Sequence, residues 1–183
     1  MEFDLDAWLP DPQVRTCHRY AVSADPDTLW HAAETVRIRE ARALGRAVRW
    51  RIPGTPPDLS FRDLLRRYPF AVIAEGERWS VSGLCGRIWT LRRDYPRIDG
   101  AAEFSAWREP GTVRVLVGHW VEPDRDARSA LVSEARVEPV DRSAGLRLRG
   151  LWALVGRFDR LIAGEVLRTA AARAEGAGTT ARS

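Results

Sequence analysis

Several residue types and patterns are absent from this chain of 183 residues, and each absence excludes a class of protein. No apolar run approaches the roughly 20 residues that a membrane-spanning helix needs, and the first residues are acidic rather than signal-like. Lysine is missing altogether, so all 29 basic residues are arginine, a bias typical of a GC-rich genome more than of a particular partner. We therefore expect a cytoplasmic protein without a transmembrane segment.

Cysteine is rare, and the reactive motifs of several enzyme classes are missing. Cys17 and Cys85 fit no metal-binding or redox spacing, and two cysteines do not make a disulfide scaffold. Cys85 lies between two glycines without a nearby histidine, which favours a structural thiol over a nucleophile. The three histidines, His18, His31 and His119, belong to different predicted elements. Because the P-loop, dinucleotide-binding and G-x-S-x-G patterns are also absent, we expect neither a metal nor another cofactor.

What is present is the composition of an ordinary soluble domain. Charged residues make up 30% and hydrophobic residues 45% of a chain long enough to bury a substantial core. We interpret residues 1–13 as an irregular lead-in, residues 14–176 as one domain and residues 177–183 as a disordered tail. The sequence does not indicate an oligomeric state.

The stretch from Asp141 to about Glu175 predicts a long amphipathic helix around which the chain is organised. Bulky apolar residues recur there at steps of three and four, which places them on one helical stripe: Leu151, Val155, Phe158, Ile162 and Val166. Asp141 or Ser143 can cap the start, and Gly176 marks the end. Because glycines interrupt the pattern, we expect a bend, or a start nearer Leu151.

Earlier patterns predict a helix start and a series of strands. Asp25 followed by Pro26 is typical of a helix start. Apolar runs and period-two alternation predict strands at residues 14–22, 70–74, 79–83, 87–93, 112–122 and 130–140. This order predicts an α+β fold, in which a curved antiparallel sheet of six or seven strands wraps around the long C-terminal helix.

Five short motifs follow one another along the chain in a recognisable order. They are residues 23–30, Ser-Ala-Asp-Pro-Asp-Thr-Leu-Trp; residues 82–89, Ser-Gly-Leu-Cys-Gly-Arg-Ile-Trp; Phe104 with Pro110-Gly111; residues 133–137, Ser-Glu-Ala-Arg-Val; and Leu151-Trp152. In this order they resemble patterns of the START-like, or SRPBCC, superfamily. The first pattern is A-P-x-x-V-W. The other four, from one bacterial branch, are G-x-x-G-R-F-W, E-F-x-x-F-x-x-P-G, T-E-T-R-V and Y-W. In this chain Trp107 stands where E-F-x-x-F-x-x-P-G has its second Phe.

The resemblance covers most of the chain, about residues 14–175, and implies a helix-grip fold. It also implies an apolar cavity between the concave sheet and the closing helix. The superfamily contains lipid and hormone binders, polyketide cyclases and many uncharacterised proteins. It therefore implies a small-molecule site without fixing the ligand, and we carry over no catalytic residue.

His119 is the clearest candidate for chemistry in such a cavity. It is the one polar residue on a strand face otherwise made of Val113, Val115, Val117 and Val121. A histidine there can act as an acid or base near neutral pH. The alternative is a core histidine that is hydrogen-bonded to a neighbour.

Glu134 and Arg136 are candidates for ligand binding because they are two residues apart on a predicted strand and so face the same side. Buried, they can bind a carbonyl or carboxylate of a ligand. The alternative is a structural ion pair that anchors the last helix or a neighbouring strand. The aromatic residues Tyr20, Trp79, Trp89 and Trp152 can line the cavity, although most of the eight tryptophans are expected to pack in the core.

The predicted closing helix carries a surplus of positive charge. Residues 142–175 hold seven arginines against three acidic residues, a surplus that matches the net charge of +4 for the whole chain. Such a face can be simply solvated, or it can dock on an anionic membrane or nucleic acid. Because no nucleic-acid motif is present, we expect only weak, salt-sensitive binding to DNA.

Three functions remain open at this point. The first is a carrier or sensor that binds an apolar or aromatic small molecule. The second is a cyclase, dehydratase or isomerase that acts on a polyketide-like substrate in the same cavity. The third is a protein- or membrane-docking module without a ligand.

Overall fold

The elements follow the order that the hydrophobic patterns predict, a strand, then helices, then a run of strands and one long helix. The structure, a computed structural model, describes residues 4–51, 54–90 and 95–180, without the side chains of 44, 47, 49–51, 155–163 and 177–180. The helices are α1 (Pro26–Thr35), α2 (Arg42–Arg51), α3 (Phe61–Leu65), α4 (Ala101–Ala106) and α5 (Arg142–Thr180). The strands are β1 (Val14–Val22), β2 (Ala71–Gly76), β3 (Trp79–Gly86), β4 (Val113–Pro123) and β5 (Ser129–Pro139).

The predicted α+β fold is confirmed. Within the described residues the strands form one curved, fully antiparallel sheet in the order β1-β5-β4-β3-β2, so β4 is central. Helix α5 packs against β1 and β5, and α1 packs against α5. A curved antiparallel sheet closed by a long C-terminal helix is the helix-grip arrangement.

The sheet has five strands in the described part of the chain, fewer than the six or seven expected. The difference lies at residues 87–93, which alternation predicted to form a strand. Residues 87–90 leave the sheet in a turn instead, and residues 91–94 lie outside the described part. Gly86 adopts φ +141°, a conformation that side-chain-bearing residues rarely adopt, and β3 ends there.

Helix starts follow the predicted capping residues. The Asp25 carboxylate accepts a hydrogen bond from the Thr28 N–H at 2.9 Å, and Pro26 is the first residue of α1. At α5, Asp141 accepts from the Ala144 N–H at 2.8 Å and also from the Gly111 N–H. These backbone donors hold the pKa of Asp141 down to about 2.

Helix α5 begins where Asp141 was predicted to cap it, but it extends past its predicted end. It runs without interruption from Arg142 to Thr180, so neither the alternative start near Leu151 nor the end at Gly176 is observed. Packing of the long helix against β1 and β5 outweighs the weak helix propensity of its glycines. Val155, Phe158 and Ile162 of the predicted apolar stripe lie outside the described side chains.

The two faces of the sheet are covered by different elements. The inner face meets α1 and α5; there Val22 and Leu131 pack in one cluster with Val166 and Ala170 of α5. The outer face meets the N-terminal segment, which we define as residues 4–13, and α4. Its packing cluster contains the following residues: Leu5, Leu9, Val81, Cys85, Phe104 and Leu116.

No described helix combines the length and the apolar character that crossing a membrane requires.

Candidate functional site

His119 lies on the inner face of the central strand, among the valines that share its side of β4. The register confirms this face, because His119 pairs with Ser80 of β3 and with Ser133 of β5. The residue is only 9% exposed, and its ring meets the ring of Phe61 edge-on, with centroids 4.9 Å apart. Burial lowers the pKa of His119 to about 4, so the imidazole is neutral at pH 7.

The buried imidazole lacks a hydrogen bond at Nε2. Across the described residues, two buried side-chain polar atoms have no partner, His119 Nε2 and Ser82 Oγ. Both belong to the inner face, since Ser82 pairs with Val117, two residues before His119 on β4. Native proteins satisfy most buried polar groups, so two unpartnered atoms on the same face of neighbouring strands require an explanation.

A row of polar residues crosses the inner face at the level of His119. Ser80, His119, Ser133 and His18 are paired in turn across β3, β4, β5 and β1. With strands about 4.8 Å apart, the row spans roughly 14 Å of the sheet. His18 and His119 belong to different elements, as predicted, and the register of β1, β5 and β4 brings them into one row.

A small cavity lies beside this row. It has a volume of about 40 Å³ and is lined by His119 and Ser80 together with apolar residues of α1, α3, β5 and α5: Trp30, Ala33, Phe61, Leu65, Leu131, Val166 and Leu167. Glu34 and Arg62 complete the lining and bind each other at 2.9 Å with partly exposed side chains. The volume suits a few water molecules at about 10–15 Å³ each.

The inner face of the central strand is unevenly buried. Val113 and His119 are buried, whereas Val115, Val117 and Val121 are half-buried. Val115 packs against the cluster that contains Leu148, and Val121 packs against the cluster that contains Leu131.

Glu134 and Arg136 do not join His119, because they lie on the outer face. Arg136 Nε donates to Glu134 Oε1 at 2.6 Å, and both side chains are 4% exposed. Arg136 Nη1 also donates to the Leu9 carbonyl at 2.7 Å and to Asp6. Arg15 of β1 donates to the second Glu134 oxygen at 3.1 Å. The geometry is that of the structural alternative, an ion pair that anchors a neighbouring strand and the N-terminal segment.

The four aromatic candidates are spread over the molecule. Trp79 is on the outer face, opposite the row. Trp89 and Trp152 pack in a separate cluster near the start of α5, where the Arg147 guanidinium lies 5.9 Å from the Trp89 ring centre. Tyr20 packs against the inner cluster that contains Leu131, a residue of the cavity wall. Only Tyr20 therefore lies near His119.

Sequence reasoning missed the serines and the helix residues that complete the site. The alternation that predicts a strand at residues 79–83 puts Trp79, Val81 and Gly83 on one face, and the register has them there. The same alternation puts Ser80 and Ser82 on the other face, so the signal was present in the sequence. Phe61 of α3 carried no such signal, because its contact with His119 depends on tertiary packing.

Other reactive groups are inert or absent in the described part. Cys85 is fully buried on the outer face, and desolvation raises the pKa of its thiol to about 12. Among the described residues, no three His, Cys, Asp or Glu side chains lie close enough to hold a metal ion. The basic helix face is partly neutralised, since Arg173 donates to both carboxylate oxygens of Glu40.

Comparison with known proteins adds two remote structural similarities. No protein-family model and no curated protein matches the chain. The crystal structure of TTHA0849 from Thermus thermophilus aligns with 90% of this chain and 99% of its own, at 12% identity and a TM-score of 0.35. The Zhui aromatase/cyclase from Streptomyces sp. R1128 aligns with 90% of this chain and 98% of its own, at 17% identity and a TM-score of 0.37. At such scores neither similarity carries an argument about function.

Proposed function

We propose that the protein binds an apolar or aromatic small molecule on the inner face of the sheet, with His119 as its polar contact. The observation that carries this proposal is the buried His119 Nε2 without a hydrogen-bond partner among the described residues. Leaving such an atom unpaired costs about 1–3 kcal/mol, which a ligand hydrogen bond can offset. The proposal includes a cytoplasmic location and a remote kinship with the START-like proteins, supported by the sequence motifs and the helix-grip arrangement.

The size of the cavity sets a condition on binding. Its volume of about 40 Å³ is far below the range of roughly 300–1,000 Å³ typical of ligand pockets. An organic ligand therefore binds by displacing part of the wall. Helix α3 is the shortest element of that wall, at five residues, and it carries Phe61 and Leu65. We propose that α3 moves outward and that the ligand extends along the half-buried valines of β4.

A carrier fits the state of His119 better than an enzyme does. With a pKa of about 4, the imidazole is neutral near pH 7 and can donate or accept a hydrogen bond. The same pKa makes it a weak base, whereas efficient acid–base catalysis favours a pKa near the working pH. The enzyme alternative, a cyclase, dehydratase or isomerase acting on a polyketide-like substrate, retains one supporting observation: His119 borders the cavity directly.

A thermal-shift screen of small aromatic and acyl compounds tests the proposal. A ligand present at 100 times its dissociation constant stabilises the folded state by about 2.7 kcal/mol. The melting temperature of a chain of this size should then rise by roughly 5–10 °C. The matched control is His31→Leu, since His31 is exposed on α1. We expect a shift in the wild type and in His31→Leu, and a much smaller shift in His119→Leu. A library without any hit, or equal shifts in both variants, would contradict the proposal.

Mass spectrometry of the recovered hits separates a carrier from an enzyme. A carrier returns each compound unchanged after long incubation. An enzyme converts at least one, and His119→Ala should then slow the conversion by about 100-fold or more while the protein stays folded.

A further inference from the structure

The polar residues around His119 form a patch on the inner face that carries no charge. We define the inner polar patch as Ser80, Ser82, His119 and Ser133, which lie on the three neighbouring strands β3, β4 and β5. Ser82, His119 and Ser133 are all more than nine-tenths buried. Serine is uncharged, and the buried His119 is neutral near pH 7.

The charged groups closest to the patch are unavailable to a ligand at its depth. Arg62 and Glu34, which also line the cavity, are engaged with each other at 2.9 Å and are partly exposed to solvent. Glu134 follows Ser133 directly in β5, but its side chain is on the outer face and is held by Arg136 and Arg15. Among the described residues that line the cavity, Arg62 is the one cation, and Glu34 already binds it. An ionised carboxylate or phosphate there would be buried without a counter-charge, which is costly.

The hydrogen-bonding capacity of the patch suits hydroxyl and carbonyl groups. A serine hydroxyl donates one hydrogen bond and accepts others, and a neutral imidazole offers one donor and one acceptor. Ser82 Oγ and His119 Nε2 are both unpartnered in the described part of the protein. They belong to diagonal cross-strand neighbours, for which about 7–8 Å separates the backbones and less separates the side chains. His119 lines the cavity and Ser82 lies on the same face beyond the lining, so a head group with two oxygens, one for each residue, suits this spacing.

We infer that the inner polar patch recognises an uncharged, oxygen-bearing head group, and that the site selects alcohols, phenols or ketones over carboxylates and phosphates of the same size. The apolar body of the ligand packs against Trp30, Phe61 and Leu65. This inference rests on the proposed function and deepens it by naming the class of ligand.

Matched ligand pairs that differ only in the head group test the inference. Titration calorimetry at pH 7.5 compares p-cresol with p-toluate and 1-octanol with octanoate, small probes chosen for the small cavity. Each acid is ionised at this pH and each partner is neutral. We expect the neutral member to bind at least about tenfold more tightly, because the ionised one loses its hydration without gaining a counter-ion.

Substitutions in the inner polar patch test whether the patch causes the preference for neutral ligands. Ser82→Ala and His119→Leu should each reduce the ratio of neutral to ionised affinity several-fold, whereas Ser105→Ala, at an exposed serine of α4, should leave it unchanged. Melting curves verify that each variant is folded, and Ser82→Ala removes only one hydroxyl. A ratio insensitive to both patch variants would overturn the inference.

The outcomes distinguish this inference from the proposed function. Equal or tighter binding of the acids would overturn the inference while the proposed function stands. If no member of either pair binds, the inference is overturned, and the proposed function is decided by the thermal-shift screen. Tighter binding of the neutral ligands, weakened by Ser82→Ala and His119→Leu, supports both the inference and the proposed function.

Discussion

The two faces of the sheet bury polar groups in opposite ways. On the outer face, Glu134 and Arg136 carry full charges, and their buried side chains are hydrogen-bonded to each other and to Arg15 and the N-terminal segment. On the inner face, His119 is neutral, yet its Nε2 has no partner among the described residues. Ser133 of the inner face and Glu134 of the outer face are consecutive residues of β5. Unsatisfied hydrogen-bonding capacity, rather than burial alone, therefore distinguishes a candidate binding site from an anchor.

The largest expected effect comes from breaking the outer pair. Arg136→Met leaves Glu134 buried beside Arg15 alone, and removing one partner of a buried pair costs about 3–5 kcal/mol. We expect the free energy of unfolding, measured by urea denaturation, to fall by that amount. The double variant Glu134→Leu/Arg136→Met should recover most of the loss, because no buried charge is then left unpaired. A cost below about 1 kcal/mol for Arg136→Met would contradict the structural role.

The second-largest effect is expected from acidification, which destabilises the protein through His119 on the inner face. The pKa of His119 is about 4 in the folded protein, below the ordinary value of 6.5 that applies when it is unfolded. Between pH 6.5 and pH 4 the His119 imidazole is protonated in the unfolded chain but neutral in the folded protein. Stability therefore falls as the pH drops from 6.5 to 4. The total loss is roughly 3 kcal/mol.

Comparison with His119→Leu separates the pH dependence of stability caused by His119 from that caused by the carboxylates. Denaturation of both proteins from pH 7.5 to pH 4 should give a difference in stability that grows as the pH falls. The carboxylate of Glu34, which lines the same cavity, is present in both proteins. Parallel pH profiles would show that the imidazole is not desolvated.

At pH 7.5, His119→Leu should be neutral or stabilising. The change removes an unpaired buried nitrogen, which destabilises the folded protein by about 1–3 kcal/mol. It also loses the edge-on contact with Phe61. We expect a net gain of about 1 kcal/mol in the free energy of unfolding, against no change in His31→Leu. A loss larger than about 2 kcal/mol would mean that His119 is a packing residue whose shape is essential.

The smallest expected effect is at the edge of the outer pair. The side chain of Asp6 is 62% exposed and contacts Arg136, which keeps Glu134 and the Leu9 carbonyl as partners. Asp6→Asn should therefore cost at most about 1 kcal/mol, and less in high salt. A cost comparable to that of Arg136→Met would show that the N-terminal segment, not Glu134, holds the guanidinium.

Local patterns predicted much of this fold. Alternation placed Val113, Val117 and His119 on one side of β4, and the register confirms it. The Asp25-Pro26 start of α1 follows from capping chemistry, which involves neighbours in sequence. The turn at residues 87–90 was missed because the alternation continues past Gly86, whose φ of +141° a sequence pattern does not reveal.

The candidate site was only half predictable for a related reason. A period of two shows that Glu134 and Arg136 share a side, but not that the N-terminal segment covers that side while α1 and α5 cover the other. Which face receives which cover depends on contacts between residues more than 100 positions apart, such as Arg136 with Leu9. His119 was found because a polar residue interrupts an apolar face. Ser80 and Ser82 follow the same rule on β3.

Nitrogen NMR of histidine side chains tests the central claim most directly. The chain has three histidines, so a ¹⁵N-histidine sample gives few signals, and the His119→Leu and His31→Leu variants assign them. On titration with p-cresol, we predict that the Nε2 resonance of His119 shifts as the nitrogen gains a hydrogen bond, while the exposed His31 stays unchanged. Binding of p-cresol that leaves the His119 signals in place would contradict the claim that its unpartnered nitrogen marks the ligand site.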